Sequence, residues 1–154
     1  NLTNTNESLN IAEKISGIPL IYYPFGLESA AIRFKNVIQE NIKIHAIAED
    51  IVEACHNGIV SWEKKSNVNP ILIQGKDDYM KTKERWLIIK EYFNENKIEY
   101  IEINSIEGSI LSKLINLIYI LDYSSIYKAI LMKTNPTPVE AIQTIKEKIN
   151  EKEK

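Results

Sequence analysis

Two hydrophobic rhythms alternate along this chain: compact apolar runs of strand length, and longer stretches with helical spacing. Residues 18–23 (IPLIYY) read as a buried strand, with Pro24-Phe25-Gly26 as the turn that follows. Residues 27–40 then place Leu27, Ala30, Ala31, Phe34 and Ile38 on one side of a helix. Ile42, Ile44 and Ile47 mark a second strand. Residues 49–56 form a short helix closed by Asn57-Gly58, and residues 70–74 a third strand ended by Gly75. Asp77 and Asp78 precede a helix over 79–94, where acidic residues suit the helix dipole. Residues 98–103 alternate Ile with Glu or Tyr, the pattern of an edge strand with one wet face. A short helix over 8–16, stopped by Gly17, comes before the first strand.

Residues 107–132 predict one long helix, apolar almost all round, with Ser109, Ser112, Asn116 and Tyr119 as its polar stripe. Such a helix is buried on several sides, so it should pack on its own sheet and against a second domain or a second subunit. Lys113 and Asp122 interrupt it, leaving a clean run too short for a bilayer. Residues 134–138 break it, and a last helix starts at Pro138 with Thr137 as N-cap. Its apolar stripe is Val139, Ile142, Ile145 and Ile149. Strands alternating with helices argue for an α/β fold, a three-layer αβα sandwich with a four-stranded parallel sheet, a long buried helix and a C-terminal helix. The expected strand order is 2-1-3-4, which puts a ligand crevice at the strand carboxyl ends, beside Pro24-Phe25-Gly26.

The 154-residue length suits one domain. Lys and Arg number 19 against 21 Asp and Glu, intermixed, so no basic block offers itself to nucleic acid or to a membrane surface. Hydrophobic residues make up 44% of the chain, enough for a sizeable core. Cys55 is the sole cysteine, which excludes an internal disulfide and a cysteine zinc site and suits a reducing, cytoplasmic setting. The sequence opens without a signal peptide and without Met, at a polar run, and is expected to be part of a longer protein. Expected boundaries are a loose segment over 1–10, a domain over 11–150 and a charged tail over 151–154.

Three ionisable residues stand in awkward places. Glu40 falls at the carboxyl end of its helix, where the last carbonyls disfavour a carboxylate. That suits a general acid or base; the alternative is a solvated Glu at a frayed end. His56 precedes Asn57-Gly58, where a C-cap histidine is favoured by the dipole. Lys146 points between Val139 and Ile142, within the apolar stripe. It either snorkels out or reaches into a site at the packed interface. His45 falls mid-strand and reads as a surface or sheet-face residue. No phosphate-binding glycine loop is present, and two histidines are too few for a metal site.

Three segments together resemble the carboxyl-terminal domain of the bifunctional phosphoglucose/phosphomannose isomerases, which are double sugar-isomerase-domain (SIS) proteins. Ile32-Arg33-Phe34-Lys35 with Gln39-Glu40-Asn41 is similar to that family's Y-R-W-K and N-E-N block. His56-Asn57-Gly58-Ile59-Val60-Ser61-Trp62-Glu63 resembles its H-N-E-I-V-G-W segment. Asn135-Pro136-Thr137-Pro138-Val139-Glu140-Ala141-Ile142, with Lys146 a turn further on, is the third. The resemblance implies that Glu40 carries a proton between C2 and C1 of a phosphosugar through a cis-enediol. It gives ring opening to His56 and Lys146, the histidine reaching into a partner subunit's site in a homodimer. Asn41, and Thr137 or its neighbours, would contact substrate. No metal or organic cofactor is implied. The family's Gly-Ser-Gly turn is here Tyr23-Pro24-Phe25-Gly26, and its Gly before Trp is Ser61. The phosphate is expected on an amino-terminal SIS domain, so this chain reads as half of an isomerase with little activity alone. The competing expectation is a non-catalytic phosphosugar-binding or regulatory module.

Overall fold

Each strand of the sheet owes its place to the side chains on its two faces. The structure, a computed structural model, describes residues 6–152. Strands β1 (Ile18–Tyr23), β2 (Ile47–Asp50), β3 (Val68–Gln74) and β4 (Ile101–Asn104) pair in parallel in the order β2-β1-β3-β4, as the sequence predicts. The helices are α1 (Glu7–Lys14), α2 (Glu28–Val37), α3 (Ile51–Ala54), α4 (Met80–Glu95), α5 (Ile110–Leu131) and α6 (Glu140–Lys152). Strand side chains alternate between faces. Ile21, Ile71, Ile73, Ile101 and Ile103 therefore meet α1, α2 and α5, while Leu20, Tyr22 and Leu72 meet α3 and α4. Three layers result, with Phe34 and Leu117 filling one core and Trp86 and Phe93 the other.

Several expected boundaries move. The segment read as loose over 1–10 is helical from Glu7, because the Asn6 side chain caps α1 by accepting from the Leu9 N–H at 3.1 Å; residues 1–5 lie outside the described residues. Ile42 and Ile44 lie outside β2, since residues 38–42 wind into a π-helical turn and pairing with β1 begins at Ile47. Glu49 consequently belongs to β2, and α3 starts two residues later with Asp50 as N-cap. At the other edge β4 begins at Ile101 rather than Ile98. The Ile98 N–H is already engaged with the Phe93 carbonyl (2.8 Å), closing α4 around Lys97 at φ 57°. Within β4 the expected alternation holds, Ile101 and Ile103 buried and Glu102 and Asn104 exposed.

The long helix α5 is buried along one side only. Leu117, Leu121, Ser124, Ser125 and Ala129 face inward, while Leu111, Ile115, Tyr119, Tyr123 and Ile130 are exposed. Among the described residues α5 is the helix long and apolar enough to cross a membrane, where the sequence reading found it too short. Its inner side nevertheless packs on α1 and α2. Two of its three charges are also paired, Lys113 with Asp77 at 2.8 Å and Asp122 with Arg33 at 2.6 Å, so it serves as a structural helix of the sandwich.

The last helix starts later than Pro138. Ile142 and Gln143 donate to the Val139 carbonyl, so Val139 rather than Thr137 holds the N-cap position. No residue of α6 is buried, so among the described residues nothing covers the stripe of Val139, Ile142, Ile145 and Ile149. The helix includes Glu151 and Lys152 of the expected charged tail; residues 153–154 lie outside the described residues.

Candidate functional site

Glu40 sits on the π-helical turn Ile38–Ile42 that continues α2. Wide turns of this kind are uncommon and cluster at functional sites. Here the cause is local: Ile38 and Ile42 are both fully buried in the core below α2, and the turn between them carries Gln39 and Glu40 outward. The Glu40 carboxylate is exposed, and no hydrogen bond or ion pair to it exists among the described residues. Helix α2 runs back along the sheet from the end of β1. Glu40, beyond its last turn, is therefore at the opposite end of α2 from Pro24-Phe25-Gly26. The expected crevice at the strand carboxyl ends is thus not where the candidate base lies.

Polar ties fix this turn on two sides. Toward α5, the Asn41 amide donates to Ser125 Oγ at 2.7 Å, and Ser125 in turn donates to the Asp122 carbonyl at 2.7 Å. Arg33 grips the Asp122 carboxylate with two nitrogens, Nε at 3.0 Å and Nη2 at 2.6 Å. That contact raises the Arg33 pKa, with Glu40 adding a smaller electrostatic push in the same direction. Toward the last helix, Lys43 Nζ donates to the Glu40 carbonyl at 2.6 Å and to the Pro138 carbonyl at 2.7 Å. Thr137 is exposed on that neighbouring loop, its N–H held by Asn135 Oδ1 at 3.1 Å.

Glu40 consequently stands on a ridge between two grooves. One, of about 390 Å³, lies between the turn and Pro138–Ile142 and is mostly apolar. The other, of about 460 Å³, is lined by Arg33, Asn41, Asp122 and Tyr123. Larger cavities of about 780 and 550 Å³ open at the amino-terminal ends of β3 and β4, lined by Asn69 and Lys97–Glu99. None of the five predicted residues reaches them, so the grooves beside Glu40 are the better candidates for chemistry.

The structure brings together Glu40, Asn41 and the loop that bears Thr137 beside two grooves that neither His56 nor Lys146 lines. His56 is exposed just past α3, on the opposite face of the sheet from α2. Its N–H donates to the Glu53 carbonyl at 2.9 Å, in keeping with its reading as a helix-end residue. Lys146 is exposed along α6, without an ion pair among the described residues. His45 is exposed and precedes β2 rather than lying within it. The segment after His56 is anchored by Trp62, whose indole N–H donates to the Tyr22 hydroxyl at 2.9 Å and whose ring meets Phe93 edge-on at 5.2 Å. Burial pushes the Tyr22 hydroxyl up to about 12, only partly offset by that hydrogen bond. The Glu49 carboxyl lies against Gly58, where a Cβ would stand 2.8 Å from Oε2. Its pKa is raised, first by burial and then by Glu53 and Asp50. Among the described residues, no cluster of three potential metal ligands forms.

Sequence reasoning passed over Lys43 and the Arg33–Asp122 pair. Lys43 lies between Ile42 and Ile44, where the apolar spacing suggests a strand and a lysine is unremarkable. Asp122 looked like an interruption of a helix, because its partner is 89 residues away.

Comparison with known proteins places these features in context. Residues 4–149 match the family described as bacterial phospho-glucose isomerase C-terminal SIS domain. The chain is 31% identical over 155 residues to the bifunctional phosphoglucose/phosphomannose isomerase of Caldicellulosiruptor bescii, covering 94% of this chain and 46% of that protein. With the protein of the same name from Aquifex aeolicus it shares 29% identity over 158 residues, 97% of this chain and 49% of that one. The chain thus spans about half the length of these relatives. A similar fold occurs in a putative phosphosugar isomerase involved in capsule formation from Bacteroides fragilis, with TM-score 0.64 and 12% identity over 91% of this chain and 85% of the other. A putative sugar-phosphate isomerase from Listeria monocytogenes has TM-score 0.64 and 13% identity, covering 86% and 80%.

Proposed function

Because this chain belongs to the bacterial phospho-glucose isomerase C-terminal SIS-domain family, we propose that it supplies the acid–base side chains of an aldose–ketose isomerase. The substrates in this reading are glucose 6-phosphate and fructose 6-phosphate, with mannose 6-phosphate as a further aldose. The observation that carries it is the isolation of Glu40: an exposed carboxylate without a partner among the described residues, on a π-helical turn between two grooves. A base held in this way needs no rearrangement of neighbours before it takes a proton.

Glu40 takes the C2 proton of the opened aldose, a cis-enediol forms, and the proton returns at C1 to give the ketose. His56 and Lys146 assist ring opening. The placement of His56 across the sheet from α2 fits the part of the reading in which it serves the site of a second copy. Asn41 and Thr137 contact substrate. The phosphate is held by an amino-terminal SIS domain, against which the exposed side of α5 packs, and the assembly is a cytoplasmic homodimer. No metal or organic cofactor enters the reaction.

The same placement of His56 away from Glu40 favours one other reading, a non-catalytic phosphosugar-binding or regulatory module. Glu40→Gln in the full-length gene product separates the two. Loss of a general base lowers turnover by about 10²–10⁴-fold. The isomerase reading expects that fall in kcat for conversion of fructose 6-phosphate to glucose 6-phosphate, with KM little changed. Turnover that survives Glu40→Gln would remove Glu40 as the base. A folded parent without turnover would favour the binding module.

A further inference from the structure

We propose that Lys43 is a positioning residue, whose ammonium clasps the turn bearing Glu40 to the loop before α6 and so sets the width of the groove between them. Its kinetic consequence presupposes the isomerase reading; the clasp itself does not. Lys43 Nζ lies 2.6 Å from the Glu40 carbonyl, 2.7 Å from that of Pro138 and 3.3 Å from that of Pro136. An ammonium has three donors and no acceptor, so three carbonyls from two segments use all of them. No carboxylate pairs with Lys43 among the described residues.

The loop has little else to hold it. Among the described residues, its other side-chain hydrogen bond is local, from the Thr137 N–H to Asn135, and α6 beyond it buries no residue. Lys43 also closes the π-helical turn at φ 65°, a left-handed conformation that glycine adopts more readily. The groove so formed, about 390 Å³, has Glu40 on one wall and Pro138–Ile142 on the other. Releasing the clasp leaves Glu40 on its turn but frees Thr137 and α6 to drift from it.

The test compares wild type, Lys43→Gly and Lys43→Arg in the full-length gene product. Glycine suits the turn and removes the ammonium; arginine keeps the charge and the donors. Hydrogen exchange of the Ile142 and Gln143 amides, which donate to the Val139 carbonyl, and steady-state kinetics with fructose 6-phosphate are both read. In Lys43→Gly those amides should exchange at least about tenfold faster, and kcat should fall at least about tenfold, by more than KM rises. Lys43→Arg should recover most of both. Unchanged exchange in Lys43→Gly would overturn the clasp. Faster exchange with unchanged kcat would overturn its positioning role. A wild-type protein without turnover would sink the isomerase reading instead, and exchange alone would then decide the clasp.

Discussion

At the scale of single residues, Glu49 gives the clearest prediction. Its carboxyl is crowded against Gly58, and its pKa is raised by burial, then by Glu53 and Asp50. A carboxyl whose folded-state pKa exceeds its unfolded value favours the folded state when protonated. Ionisation is therefore destabilising: the cost is absent below the ordinary value of 4.5, grows as pH rises through the raised folded-state pKa, and is full above it. Glu49→Gln should accordingly raise Tm at pH 7, with the gain over wild type shrinking toward zero as pH falls below about 4 in thermal melts. An equal gain at both pH values would mean packing, not charge, is responsible. The sequence spacing puts Glu49 at a helix start, where a carboxylate is ordinary; its crowding by a glycine nine residues on is a tertiary contact that no local pattern encodes. Glu40 was legible for the opposite reason, since its awkwardness was local, a carboxylate at the end of a helical stripe.

At the scale of elements, what was readable depended on which residues ended them. Helix α1 ends at Lys14, where Ile15 turns extended, so Gly17 does not stop it as the sequence suggests, yet the entry to β1 needs this glycine: its φ is +50°, and an added Cβ would run into the Asn67 backbone carbonyl and stand 2.7 Å from its side-chain oxygen. Left-handed backbone costs an L-residue about 1–2 kcal/mol before any clash. Gly17→Ala should therefore destabilise by about 2–3 kcal/mol, lowering Tm by roughly 4–12 °C for a chain of this size. A loss under 1 kcal/mol in denaturant titration would show that the β1 entry can shift. By contrast, Lys43, Lys97 and Lys133 adopt positive φ without a glycine to signal it. Those are the places where sequence-based boundaries slipped or were silent, as at β2 and β4. Strand order and layer count survived because β1 and β3 are continuous apolar runs buried on both faces and alternate along the chain with helical stretches.

At the scale of the whole molecule, the surplus of exposed apolar surface is the central fact. Leu111, Ile115, Tyr119, Tyr123 and Ile130 form a stripe along the outer side of α5, with the Tyr119 and Tyr123 rings 4.8 Å apart. Patches of this kind on a folded chain mark interaction surfaces. The relatives are about twice as long as this chain, and the proposed function assigns this stripe to an amino-terminal SIS domain. The chain alone should then show little isomerase turnover, and a separately produced amino-terminal domain should restore it on mixing. Ile115 lies in the middle of the stripe and is 58% exposed, so Ile115→Asp should leave the fold intact. Burying an unpaired carboxylate in the assembled interface costs several kcal/mol, so the variant should need at least about 100-fold more of the amino-terminal domain to reach half-maximal turnover. Titration of the two halves, read by coupled assay, measures this directly. Restoration equally efficient with Ile115→Asp would assign the stripe to another surface, and turnover by the chain alone would show that the phosphate is held within residues of this half.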